Sequence, residues 1–243
     1  MSTDVALAGR ESSAAARLQI LATEHWSLLA TRSLTYNEAL SRVTIFLAIL
    51  SGAVIALALV AQADGFGPTT ISIAIPVLCV VLFAGVVTVG RLIRLNSDDY
   101  RWVIGMNRLR HAYIEMHPDL AAYFVTSPYD DAAGALQTLG IEHTTIASAG
   151  AGSILHLVQT LPGMVAIVVA CVAAAIGALL GLALHGSLVE VTAAATIGFV
   201  LVIVVMGIWA RQAVRPGVPI LESRFPSPHV GDGNSSLREL TAL

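Results

Sequence analysis

A chain of 243 residues that is 56% hydrophobic and only 12% charged, with a mean hydropathy of +0.79, is too apolar for an ordinary soluble domain and reads as an integral membrane protein. Its net charge of −3, with basic residues clustered rather than in a continuous stripe, gives no case for nucleic-acid binding. The expected class is all-α, with four transmembrane helices arranged as two hairpins and with cytoplasmic N-terminal and central helices.

Residues 1–42 contain neither a compact apolar signal core nor a small-residue cleavage site, so the first membrane helix is expected to serve as its own anchor. Within them, residues 12–40 read as a cytoplasmic helix running on into the membrane. Leu18, Leu21, His25, Leu28 or Leu29, Arg32, Tyr36 and Leu40 recur there at three- and four-residue steps. Such a face must pack on the membrane surface, the central segment or another subunit. The first hairpin, 43–90, follows. Residues 43–61 and 69–90 carry no charge, and they reach roughly 29 and 33 Å against a hydrocarbon core of about 30 Å. Between them QADGFGP, residues 62–68, is a run of turn formers. Pro76 predicts a kink in the second span.

Residues 91–160 read as a cytoplasmic helical segment. Leu92, Leu95, Trp102, Met106, Leu109 and Tyr113 keep a heptad-like rhythm, while Arg94, Arg101 and Arg108 fall seven residues apart on a different face. That cytoplasmic arginine face is expected in solvent or among headgroups, with an anion site as the alternative. Ser97-Asp98-Asp99 either continues this helix or caps a fresh one after a break at Asn96. His117-Pro118 ends it. Ser127-Pro128 is expected to start a short serine-capped helix, with Asp130 and Asp131 at its positive end and Gly140 as its stop. TTIASAGAGSILHL, residues 144–157, reads as a close-packed helix leading into the third span.

The second hairpin is 161–210. Residues 161–184 are uncharged with Pro162 in the first turn, His185-Gly186-Ser187 turns the chain, and 191–210 form the fourth span with Glu190 as an interfacial residue. Gly177 and Gly181 form a GxxxG pair for helix packing or oligomerisation, facing either the fourth span or another subunit. The tail, 211–243, mixes proline, glycine and serine without periodicity and is expected to be extended or disordered.

Arginine placement sets the orientation. Arg32 and Arg42 precede the first span, Arg91, Arg94, Arg101, Arg108 and Arg110 follow the second, and Arg211 and Arg215 follow the fourth. The other two connectors carry none, so the positive-inside rule puts both termini and the central segment in the cytoplasm. Every one of the 13 basic residues is arginine, a mark of high-GC bacterial sequences and hence of a bacterial inner membrane.

No catalytic, cofactor-binding or metal site is expected. A phosphate-binding loop of the Walker type needs a lysine, and the chain has none. Its 7 histidines are scattered without metal-ligand spacing. Asp98-Asp99 and Asp130-Asp131 are adjacent pairs whose side chains diverge by about 100° on a helix, which suits helix starts better than shared acid-base work. Cys79 and Cys171 sit in apolar runs as packing residues.

EHWSLLATRSLTYNEALSR, residues 24–42, the hairpin behind it and GMNRLRHAY, residues 105–113, together resemble uncharacterised multi-pass membrane proteins of high-GC bacteria. The layout of residues 15–115 also resembles the SLATT group, membrane effectors proposed to form pores in bacterial conflict systems. That resemblance implies a non-enzymatic, self-associating, channel-like assembly in the lipid bilayer. Thr44, Ser51, Ser72 and Thr88 would then line its axis. The alternative is a scaffold or accessory subunit docking a protein partner through its cytoplasmic helices.

Overall fold

The computed structural model of the chain describes residues 2–140, 160–214 and 222–228. Every regular element among them is helical. In chain order these are α1 (Ser2–Asp64), α2 (Pro68–Met116), a 3-10 turn (Pro118–Tyr123), α3 (Ala132–Thr138), α4 (Leu161–Ala183) and α5 (Leu188–Val214). Four of them, α1, α2, α4 and α5, contain stretches long and apolar enough to cross a membrane, with mean hydropathies of 2.6 to 2.8.

The helix ends follow local chemistry. At the α1–α2 connector Gly65 has a φ of +61°, and Asp64 Oδ2 accepts from the Thr70 amide at 2.9 Å, satisfying a free donor in the first turn of α2. Thr160 caps α4 through the Gly163 amide, with Pro162 in the first turn. Ser187 and Glu190 form a reciprocal capping box at the start of α5: the Ser187 amide donates to Glu190 Oε2 at 2.6 Å, and the Glu190 amide reaches back to Ser187 Oγ at 3.4 Å. Glu190 thus has a structural duty at the helix start.

Of the two readings open at Asn96, the continuous helix is the one observed. There is no break at Asn96: α2 runs through it, and Asp99 turns outward from the helix to pair with Arg32 rather than capping a new one. Ser127 does not cap α3. The helix begins four residues later, with Asp131 accepting from the Gly134 amide at 2.8 Å, because Ser127 Oγ is already engaged by the Tyr129 amide. Pro76 lies inside α2 without ending it. The expected helix over 144–157 and most of the tail lie outside the described residues.

The chain divides into two compact units, the first made of Met1–Ser33, Asp99–Ala147 and Pro219–Leu243, the second of Leu34–Asp98 and Ser148–Val218. The second unit is the apolar one. Ala39, Val43, Phe46, Leu50, Ala53 and Leu57 form the inward stripe of α1 at three- and four-residue steps, packed with Val81, Val89 and Leu92 of α2 and Val165, Val169 and Val172 of α4. Glu38 bridges Arg42 of its own helix (2.8 Å) and Arg91 of α2, the latter through two hydrogen bonds of 3.0 Å.

In the first unit Leu28 packs against Gly105, where an added Cβ would lie 3.1 Å from a Leu28 methyl. Arg32 grips Asp99 through Nε (2.6 Å) and a second nitrogen (3.2 Å), and Val103 and Ile104 are buried against Ala135 of α3. Leu21, His25, Leu28 and Arg32 face inward as expected, while Leu18 of the same unit and Tyr36 and Leu40 of the other are exposed. Tyr36 and Leu40 stand one residue past the inward positions Thr35 and Ala39, and one residue turns a helical side chain by about 100°.

Candidate functional site

The helix faces of the membrane-type unit are built from small residues. A Cβ on Gly177 would strike the carbonyl of Ala194 in α5, and one on Gly181 would lie 3.0 Å from the Val191 Cα. A Cβ on Gly198 of α5 would in turn lie 2.6 Å from the Ala173 carbonyl oxygen of α4. Both members of the GxxxG pair therefore face α5 of the same chain; at Gly177 backbone meets backbone, while at Gly181 the Val191 side chain also lines the contact. Gly85 is filled by side chains instead, its would-be Cβ lying 2.6 Å from a Val169 methyl and 2.9 Å from the Phe46 ring.

Gly52 of α1 and Gly207 of α5 differ: nothing lies within 4 Å of either Cβ position, and Gly52 has small neighbours beside it. At about 100° per residue it shares a face with Thr44, Ala48 and Ser51, opposite the inward stripe of α1. All four are exposed, and together they make a shallow ridge of small side chains on the first span. Thr44 Oγ1 donates to the Leu40 carbonyl (3.0 Å), which satisfies its proton within the helix and leaves the oxygen facing outward. Ser72 and Thr88 of α2 similarly donate to Thr69 and Ala84 of their own helix.

Arg94 is exposed in the membrane-type unit, and Arg101 is exposed in the other unit. Arg108 is drawn into a cluster around Asp130, its Nε donating to Asp130 Oδ2 at 2.7 Å and its terminal nitrogen to the Glu222 carbonyl at 2.7 Å.

That cluster is the densest polar constellation described in the chain. Asp130 has a fully buried side chain. Its Oδ1 accepts from Ser223 Oγ and the Phe225 amide (both 2.8 Å), and its Oδ2 accepts from Arg108 and the Arg224 amide (2.9 Å). Burial opposes ionisation, but these four donors outweigh it and hold Asp130 down at about 2. Asp131 accepts from the Ser227 amide (2.8 Å) and hydroxyl (2.6 Å) while it caps α3, and against the same cost of burial it too is held below the usual carboxylate range. The Asp130 amide returns a hydrogen bond to the Phe225 carbonyl (3.1 Å), and the Phe225 ring stacks on His111 with centroids 4.0 Å apart. Behind this lies the buried Asn107, which donates to the Tyr129 carbonyl (2.7 Å) and accepts from Arg110 (2.6 Å) and Thr138 (3.0 Å).

Sequence reasoning assigned Asp130 and Asp131 to a helix start, which is half correct, and missed that they hold the tail. The available signal was Phe225, the one aromatic residue in a polar, proline-rich tail. Gly52 was missed because no second glycine marks its ridge.

Fold and packing define an all-helical protein with four helices able to cross a membrane. No protein-family profile, curated protein or solved structure matches the chain.

Proposed function

We propose that the chain is a non-enzymatic protein of the bacterial inner membrane that self-associates through its first span into a channel-like assembly. In this reading the four spans form two hairpins, with both termini and the segment between hairpins in the cytoplasm, because the arginines collect at those ends. The observation that carries the self-association is the unfilled ridge of Thr44, Ala48, Ser51 and Gly52. In lipid, helices associate by close packing of small residues, and the faces of Gly85, Gly177, Gly181 and Gly198 are already filled within the chain. The ridge around Gly52 is open, and it carries the hydroxyls that would face an assembly axis.

A second reading, a scaffold that docks a protein partner, is favoured by the outward Trp26 and Leu29 on the N-terminal part of α1, 71% and 39% exposed. It does not compete with self-association through the first span.

A set of single-cysteine variants in a Cys79→Ala, Cys171→Ala background tests the assembly and its orientation together. Gly52→Cys is expected to give disulfide-linked dimers in native membranes upon mild oxidation. Val54→Cys, also exposed but pointing away from the ridge, is expected to give few. Equal crosslinking at both positions would remove the ridge from any interface. An impermeant thiol reagent is expected to label Gln62→Cys from the outside and Glu115→Cys only after permeabilisation; the reverse order would invert the topology.

A further inference from the structure

We infer that Arg108, His111, Asp130 and Asp131 form a peptide-binding site, selective for a non-helical segment spaced Ser-x-Phe-x-Ser and bent at its second and third residues, with the chain's own residues 222–228 as its resident and exchangeable ligand. The match is one of donors to acceptors. The segment presents the Ser223 hydroxyl, two successive amides at Arg224 and Phe225, and the amide and hydroxyl of Ser227, and all five meet a carboxylate oxygen of Asp130 or Asp131. The Asp130 amide pairs with the Phe225 carbonyl, and Arg108 takes the Glu222 carbonyl, so the segment is read along its backbone at both ends of the phenylalanine. Register comes from Phe225 on the His111 ring and from the two serines that bracket it.

The site is assembled by contacts that do not include its ligand. Asp131 is oriented by the Gly134 amide, Tyr129 is fixed by Asn107 through its carbonyl and by Ser127 Oγ through its amide, and Arg108 stands on α2. Removing the segment leaves this frame in place but takes three of the four donors from Asp130. An acceptor prepared in this way and then left under-satisfied favours any segment that restores those donors. The segment itself belongs to no helix. Carried on the same chain as the site, it competes with any segment offered in trans.

This inference is independent of the channel-like reading. Its probe is a fluorescent peptide with the sequence of residues 219–230, PILESRFPSPHV, added to the full chain in detergent. A protease site inserted after Gly217 allows the tail to be cut after folding and exchanged away. The cut chain is expected to bind the peptide at least tenfold more tightly than the uncut chain. Asp130→Asn in the cut chain, and Phe225→Ala in the peptide, are each expected to weaken binding at least tenfold. A second route avoids cutting: uncut Phe225→Ala, Ser227→Ala protein, whose resident ligand is impaired, is expected to bind the wild-type peptide at least fivefold more tightly than wild-type protein does. Equal binding by cut and uncut chains, or no gain in the uncut double variant, would overturn the inference.

Discussion

Replacing Gly177 with leucine is expected to destabilise the chain by about 3 kcal/mol, the upper part of the range for overpacking a closed contact. The new Cβ would meet the Ala194 carbonyl of α5, and beyond it the Ala195 amide nitrogen at 3.2 Å; neither is a side chain that can rotate aside. α4 and α5 would have to separate along the face where Gly198 also touches Ala173, so the strain spreads over several turns. Gly181→Leu is expected to cost less, because one of its near neighbours is a Val191 methyl that can move. Thermal unfolding in detergent, followed by the loss of helical signal, provides the measurement, with light scattering alongside. A large fall in midpoint fits packing within the chain. An unchanged midpoint with a reduced mass would instead make the GxxxG pair a contact between subunits, the other assignment open from sequence.

The second large effect is expected at Asp130. Each of its carboxylate oxygens accepts two hydrogen bonds, so an asparagine there places an NH2 group against two donors whichever way it is turned. Asp130→Asn also leaves Arg108 without its carboxylate, and breaking a pair with a buried partner costs about 3–5 kcal/mol. The tail is expected to be released, and trypsin at pH 7.5 to cut after Arg224 at least tenfold faster than in the wild type. Acid should produce the same state. Asp130 sits at about 2, below its ordinary 3.8, so its contribution to holding the tail is complete above roughly pH 4 and is lost as the pH falls toward 2. Asp131, shifted in the same direction, adds to the same loss. A fluorophore at Pro228→Cys in the cysteine-free background is expected to keep a constant anisotropy from pH 8 to 5 and to lose it below 4. Loss between pH 7 and 6 would mean that a group other than these carboxylates controls the tail.

The four helices able to cross a membrane were legible because hydrocarbon thickness imposes a length and forbids charge, and both constraints can be read residue by residue. The inward face of α1 through Leu21, His25, Leu28 and Arg32 was legible for a similar reason, since a helix repeats its facing positions locally. Tyr36 and Leu40 fit the same rhythm but were misplaced, because a three-or-four-residue step leaves a choice of neighbour that only the opposing surface settles. The Ser187–Glu190 capping box was written in the sequence as serine and glutamate three residues apart, although interfacial duty alone was read there. At α3 the Ser-Pro pair was the stronger cap signal, and it lost because Ser127 is spent on the Tyr129 amide. The docking of the tail was out of reach: its bonds join residues 93 to 114 positions apart, and no local period marks either side. The difference between Gly52 and Gly177 was equally hidden, since it depends on what another helix has already filled.

The most direct test of a self-associating, channel-like protein is ion flux through liposomes containing the purified full chain, driven by a salt gradient and compared with the Gly52→Leu variant at equal protein content. Wild-type liposomes are expected to dissipate the gradient at least tenfold faster than protein-free ones. Gly52→Leu, with nothing within 4 Å to clash against in its own chain, should fold normally and abolish the flux. Wild-type liposomes as tight as protein-free ones, or flux unchanged by leucine at Gly52, would contradict a pore assembled on the first span.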